Sequence, residues 1–195
     1  MEHSISRVLD FWFDARHEAA QLWFRQDPTI DQKINEDFGE LVQQARTSAL
    51  DAWTNGPQGT LAMLILLDQF PRNIFRGSPE SWSSDAKALD VSAVAISKGY
   101  DTQVTPVRQT FFYTPFMHNE SLIGQIASVA LYEGFEQRCE PGSPAKAYAT
   151  KNLRYAKMHR DVIAKFGRFP SRNDVLGRES TEEERTFLGE HPGGF

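Results

Sequence analysis

The segment Asp68-Gln69-Phe70-Pro71-Arg72-Asn73 returns about a hundred residues later as Gly167-Arg168-Phe169-Pro170-Ser171-Arg172-Asn173, each time behind a long helical pattern. A Phe-Pro step is expected to close a helix, because proline lacks the N–H that the next turn needs and its ring clashes with the carbonyl one turn back. Both copies then place an arginine and an asparagine where freed carbonyls collect. The two breaks predict a chain of helices with polar corners, and the corners are where function is expected.

The other signals agree with an all-α chain, since no run alternates apolar and polar residues for long enough to form a half-buried strand. Ser4 is the expected cap of a first helix through Ile5, Val8, Leu9 and Trp12, and Asp27-Pro28 opens a second through Ile34, Phe38, Leu41 and Ala45. Gly56-Pro57 opens a buried helix that is expected to end at Phe70-Pro71. Ser83 or Ser84 starts the next, which Gly99 stops. Thr105-Pro106 starts another, broken at Thr114-Pro115. Asn119 is the expected cap of a helix through Leu122, Ile126, Val129 and Phe135. The loop Pro141-Gly142-Ser143-Pro144 precedes a long basic helix to Phe166, and Thr181 with Glu184 forms a capping box. The expectation is a single domain, residues 1–195, of roughly eight helices of ordinary length, with a loose tail from about residue 189 that includes Gly193-Gly194-Phe195.

Composition excludes several classes. A chain of 195 residues, 40% hydrophobic and 12% aromatic, can bury a sizeable core. The apolar run Leu61 to Leu67 is too short to cross a bilayer. Cys139 is the single cysteine and cannot form an intramolecular disulfide, and Met1 to Arg7 lacks an export-signal layout, so a reducing, cytoplasmic setting is expected. Residues 146–178 carry nine Lys and Arg against two Asp, so that stretch is +7 and the rest −12 within a net of −5. Pairing inside the chain or an anionic ligand explains such asymmetry; duplex nucleic acid is not expected. There is no Gly-rich phosphate loop, dinucleotide fingerprint, nucleophile elbow, His-Glu-x-x-His or paired-cysteine spacing, so no cofactor and no metal is expected.

Three clusters can carry chemistry. Asp68, at the end of the buried helix, sits where the helix dipole disfavours a carboxylate. Arg72, four residues on, can clasp it. On the basic helix the stripe Tyr148, Asn152, Tyr155, His159, Val162 and Phe166 reads as inward, and a parallel stripe carries Arg160 inward beside it; Asp161 falls on the outer face with Arg154, Lys157 and Lys165. The third cluster is Tyr113 to Ser121, with His118 and Glu120 flanking Asn119 and Arg108 upstream. A carboxylate beside an imidazole builds a general base, and guanidinium forks suit carboxylates and phosphates. The candidate ligand-binding residues are therefore Asp68, Arg72, Asn73, Arg108, His118, Glu120, His159, Arg160, Arg172 and Asn173. His159, His118, Asp68 and Glu120 are the candidate catalytic groups.

The motifs Val8-Leu9-Asp10-Phe11-Trp12-Phe13, Trp23-Phe24, Leu67-Asp68-Gln69-Phe70-Pro71-Arg72-Asn73, Phe75-Arg76-Gly77, His159-Arg160-Asp161, Arg168 to Asn173 and Leu176-Gly177-Arg178 closely resemble the bacterial family catalogued as domain of unknown function 924. The resemblance covers nearly the whole chain. It implies an all-α fold similar to the tetratricopeptide-like superhelix, and brings no catalytic residue with it. Ser171 stands where the family pattern has histidine, which removes one acid-base group, and Asn119 stands where it has serine. The leading expectation is an interior polar pocket for a small anionic molecule or an acidic peptide. The alternatives are a metal-independent hydrolase or transferase with a His-carboxylate pair, and a tetratricopeptide-like interaction scaffold.

Overall fold

The computed structural model describes residues 1–14, 23 and 26–192; Phe24, Gly193, Gly194 and Phe195 lie outside the described residues. Among the described residues there is no strand, and eight helices follow in order. They are α1 (Glu2–Trp12), α2 (Pro28–Arg46), α3, which runs as Pro57–Leu64, a π turn Ile65–Gln69 and Phe70–Ile74, α4 (Asp85–Ser97), α5 (Pro106–His118), α6 (Leu122–Arg138), α7 (Pro144–Phe166) and α8 (Glu182–Glu190). The chain is all-α, as its patterning predicts. It divides into two compact units, Met1–Pro115 and Phe116–Phe195.

Several helix ends follow from their residues. The Asp27 carboxylate accepts from the N–H groups of Thr29 (2.9 Å) and Ile30 (3.3 Å) ahead of Pro28, a cap that contributes about 1 kcal/mol. Thr181 and Glu184 form the predicted capping box. Gly99 and Gly167 take the left-handed conformation just past α4 and α7, with φ of 69° and 71°. Two predicted caps are corrected. Ser4 lies inside α1, which starts after Met1, and α6 starts after Ser121 instead of Asn119. The Asn119 side chain packs over the first turn of α6 instead, where a Cβ on Gly124 would fall 2.8 Å from Asn119 Oδ1.

The first Phe-Pro step does not stop its helix. The chain widens into a π turn, with the Phe70 N–H reaching back five residues to the Ile65 carbonyl, and α3 runs through Pro71 to Ile74. Proline leaves carbonyls behind it without a donor, and the Ser84 hydroxyl takes one of them, donating to the Leu67 carbonyl at 2.8 Å. Ser84 therefore makes no cap bond for α4. The same solution carries α5 through Pro115, where a break is expected from sequence: the Ser92 hydroxyl donates to the Phe112 carbonyl and Thr114 Oγ1 to the Phe111 carbonyl at 3.3 Å. The second Phe-Pro step does mark a helix end, because Gly167 has already turned the chain two residues earlier.

Burial explains why α3 continues. Leu61 to Leu67 are each at most 1% exposed, and each large apolar side chain so buried contributes about 1.5–3 kcal/mol. Around them the rings of Phe38 and Phe70 lie 5.0 Å apart, Trp12 and Phe70 5.5 Å, and Trp12 and Phe111 5.9 Å. In the second unit α6 and α7 run antiparallel, since Glu133 pairs with Lys157 (3.1 Å) and Glu136 with Lys146 (3.4 Å). The inward stripe of α7 is Ala149, Leu153, Ala156 and Ile163, with Val162 beside it. Tyr155, predicted inward, is 43% exposed and His159 sits on the flank. Val162, Ile163 and Phe169 pack with Phe166 and Phe187. Within the stretch expected to be a loose tail, Gly189 and Glu190 belong to α8 and His191 stacks on Phe187 at 4.6 Å. No described helix is long and apolar enough to cross a membrane.

Ser84→Ala leaves the buried Leu67 carbonyl without its donor, so the variant is expected to unfold at lower urea concentration with an unchanged slope, a loss of about 1–3 kcal/mol.

Candidate functional site

The candidate residues divide between the two units. In the first, Asp68 is 1% exposed and Arg72 follows it by one turn across the π segment. The Arg72 guanidinium lies 3.2 Å from Asp68 Oδ1, donates to the Asp68 carbonyl, and binds both Asp85 oxygens at 2.9 Å. Burial opposes its charge, but Asp68 and then Asp85 outweigh that and raise its pKa above the ordinary arginine value. Gln69 Nε2 donates to the other oxygen of Asp68, Oδ2. Asn73 Nδ2 donates to Asp31 at 2.7 Å, and Arg76 forks onto the same carboxylate at 2.8 and 3.0 Å. Arg72, shared by Asp68 and Asp85, clasps α3 to α4, and Asn73 with Arg76, meeting on Asp31, clasp the end of α3 to α2. Arg108 donates to Gln58 at 3.1 Å and lies over the Phe13 ring.

The second unit gathers the remaining candidates. Arg178 forks onto Glu120 at 2.7 and 3.1 Å, and the Phe169 N–H donates to Glu120 Oε1 at 2.8 Å. Burial pushes the Glu120 carboxyl up, but Arg178, the Phe169 N–H and Arg172 outweigh it, so its pKa falls below the usual range. Asn173 is fully buried, donates to Ser180 Oγ (3.0 Å) and Glu184 (3.3 Å), and accepts from Arg178 Nε at 2.9 Å. Arg168 holds Glu184 by two bonds of 2.7 and 2.8 Å. Those bonds, against burial and with the Thr181 N–H, lower the Glu184 pKa to about 2.

Arg172 and His159, both partly exposed, meet the Phe169 ring, and His118 stands next to His159. Arg172 lies over the ring, 4.7 Å from guanidinium carbon to centroid, and donates to the His118 carbonyl at 2.9 Å. The His159 ring meets Phe169 edge-on at 5.6 Å and the His118 ring at 6.5 Å. His159 Nδ1 is 2.8 Å from the Tyr155 carbonyl, which only accepts, so that nitrogen carries the hydrogen. Arg160, predicted inward, turns outward and forks onto the adjacent Asp161 at 2.6 and 2.9 Å. Lys157 and Lys165, predicted near Asp161, pair with Glu133 and Glu183.

One feature escaped the sequence. A cavity of about 280 Å³ lies beside one face of α4, lined by Lys87, Asp90, Val91, Val94 and Lys98 with Asp51 opposite. The Lys87 ammonium donates to the Ala45 carbonyl, Ser48 Oγ and Asp51, all within 2.9 Å, and its hydrogen bond to Asp51 lowers that carboxyl's pKa. The lining spaces, three and four residues apart on α4, were the only available signal, and they also describe an ordinary solvated face. Among the described residues no group of three or more His, Cys, Asp or Glu side chains has metal-site geometry.

Two outcomes follow for stability. Arg72→Ala strands Asp68 without its cation and is expected to cost about 3–5 kcal/mol in chemical denaturation. Glu184, with its folded pKa near 2 against an ordinary 4.5, binds its proton less tightly when folded, so its contribution is complete above about pH 4.5 and is lost as pH falls toward 2. Glu184→Gln is expected to be less stable than the parent at neutral pH and to lose less stability across that acid window, measured by thermal unfolding at stepped pH.

Comparisons with known proteins agree with this architecture without adding an activity. No curated protein matches the chain. A solved structure, described as that of a protein of unknown function ATU0120 from Agrobacterium tumefaciens, is 34% identical, covers 97% of this chain and 98% of its own, and superposes with a TM-score of 0.84. The model of the family described as bacterial protein of unknown function (DUF924) matches residues 8–192, and the chain belongs to that family.

Proposed function

We propose that the second unit binds a small or peptide-borne anion at Arg172, His118 and His159. The observation that carries this is the Arg172 guanidinium lying over the ring of Phe169, with the His159 ring against the edge of Phe169 and the His118 ring next to His159. The aromatic face fixes the guanidinium plane, so little side-chain freedom is lost when the fork meets a carboxylate or phosphate. Glu120, the acid of this neighbourhood, is held by Arg178 and the Phe169 N–H and so helps to orient the loop that carries Arg172. The Asp68, Arg72 and Asn73 cluster serves the first unit as a clasp in this account, and Asn173 supports Arg178 from within. The protein acts as a cytoplasmic binder, and its helices are compatible with a tetratricopeptide-like superhelix.

A second reading rests on His159. With Nδ1 donating to the Tyr155 carbonyl, Nε2 of the neutral ring is an acceptor, the state a general base requires. A metal-independent hydrolase or transferase using that nitrogen differs from a binder in showing turnover.

Thermal unfolding in phosphate, citrate and an acidic peptide, against chloride at equal ionic strength, tests the binding. At least one anion is expected to raise the melting temperature of the parent, and Arg172→Ala to weaken that binding about 10- to 100-fold, as loss of a charged hydrogen bond of about 1.5–3 kcal/mol implies, with helix content unchanged. Equal stabilisation of parent and variant removes Arg172 from the site.

A further inference from the structure

Of the six asparagines in the chain, one precedes a glycine: Asn55-Gly56, between the short 3₁₀ turn Asp51–Asn55 and the start of α3. The side-chain amide carbon of an asparagine lies within reach of the next main-chain nitrogen, and a glycine in that next position leaves the nitrogen without a side chain beside it. The other five are followed by Glu36, Ile74, Glu120, Leu153 and Asp174. Among them Asn73, Asn152 and Asn173 also spend their amide nitrogens on hydrogen bonds to Asp31, Tyr148 and Ser180.

The fold leaves Asn55 and Gly56 open to react. Asn55 is exposed, and among the described residues its side chain has no hydrogen-bond partner. Its main-chain carbonyl accepts from the Tyr100 hydroxyl at 3.3 Å, which draws electron density from the Gly56 amide and eases loss of its proton. The Gly56 N–H has no acceptor among the described residues, while the Gly56 carbonyl serves the Thr60 N–H at 2.9 Å and the Thr60 hydroxyl at 2.8 Å. Gly56 is extended, with φ of −163° and ψ of 165°, and nothing lies within 4 Å of where a Cβ would stand. The attacking nitrogen and the amide it attacks therefore have no hydrogen bond to give up and no neighbour in the way.

We propose that Asn55 is a site of spontaneous deamidation, a covalent modification that consumes water and needs no enzyme. The Gly56 nitrogen gives its proton to hydroxide and bonds to Asn55 Cγ. The Cγ–Nδ2 bond breaks, and Nδ2 leaves as ammonia with a proton from water, so hydroxide is regenerated and a succinimide ring remains. Water then opens the ring at one of its two carbonyl carbons. Cleavage at Cγ restores the main chain with aspartate in place. Cleavage at the Asn55 main-chain carbonyl gives isoaspartate, whose chain runs through Cβ and Cγ and is longer by one carbon. Nothing is oxidised or reduced. Either product sets a carboxylate ahead of α3, whose first turn holds no acid and whose start has no side-chain cap, and the helix dipole favours negative charge there. The two differ in packing. The carbonyl of buried Trp53 lies against Gly59, so close that a Cβ there would clash, and the extra carbon of isoaspartate falls within that tightly fitted link. Isoaspartate is therefore expected to lower the melting temperature, and aspartate is not.

Peptide mapping by mass spectrometry of the folded full chain, held at physiological temperature at neutral and at mildly alkaline pH, tests this. The mass difference of OH for NH2, together with enzymatic methylation of isoaspartate, is expected at Asn55 and accumulates faster at the higher pH. The other five asparagines are expected to stay intact over the same period. Unfolded in guanidinium, the chain is expected to react at Asn55 within about tenfold of the folded rate, a barrier difference under about 1.4 kcal/mol, because the fold withholds nothing. Gly56→Ala suits the extended backbone ahead of Pro57 and the open space beside it, and is expected to slow the reaction about tenfold or more. A folded Asn55 that stays intact while the unfolded chain is converted overturns the proposal. Conversion spread over the other asparagines, or unchanged by Gly56→Ala, overturns it as well.

Discussion

A backbone carbonyl stripped of its N–H partner inside a buried helix must find another donor, and that requirement organises the first unit. Pro71 and Pro115 each create such carbonyls within helices that burial keeps continuous. For Pro71 the donor comes from the cap of α4, where Ser84 serves Leu67; for Pro115 it is Thr114, whose hydroxyl serves Phe111, while Ser92 of α4 donates to the neighbouring Phe112 carbonyl. Because α4 is drawn against α3 in this way, Asp85 at its start arrives beside Arg72, which already serves the carbonyl and carboxylate of Asp68. Backbone satisfaction and the buried ion pairs are thus one construction, and loosening either exposes the other.

The second unit uses the same chemistry at a true helix end. Gly167 turns the chain, Glu120 accepts from the Phe169 N–H, and Arg178 and Arg168 hold Glu120 and Glu184. The basic stretch that looked available to a ligand is largely answered at home. Lys146, Lys157, Arg160, Lys165, Arg168 and Arg178 all have carboxylate partners within 3.4 Å. Exposed pairs among these contribute little each, whereas Arg168–Glu184, with its acid almost wholly buried, holds the loop in one geometry. The arrangement around Phe169 differs in kind, because there the cation is presented on an aromatic ring beside two imidazoles.

Much of the fold was legible because its signals are local. Asp27-Pro28, Thr181 with Glu184, and Gly99 act within one turn of themselves, and each is found in its predicted role. Pro71 and Pro115 were misread for the opposite reason. A proline ends a helix unless burial and another hydroxyl compensate: Ser84, which serves Leu67, lies 17 residues away, and Thr114, which serves Phe111, precedes Pro115 itself. The inward face of α7 was misassigned between two stripes of similar apolarity, Tyr155 against Leu153 and Ala156, which helical period alone does not separate. Arg160 shares the stripe that is buried, with Ala156 and Ile163, but its guanidinium turns to its neighbour Asp161.

The sequence by itself determined the all-α class, most helix boundaries and the polar character of the residues after each Phe-Pro step, since these follow from backbone chemistry and short-range capping. Only the tertiary structure decided which of those polar groups are consumed. Whether Arg72 meets Asp85, Arg178 meets Glu120, or Arg172 settles on Phe169 depends on contacts between segments far apart in the chain. A charged residue reads identically in sequence whether it closes a clasp or waits for a ligand; its burial and its partners make the difference.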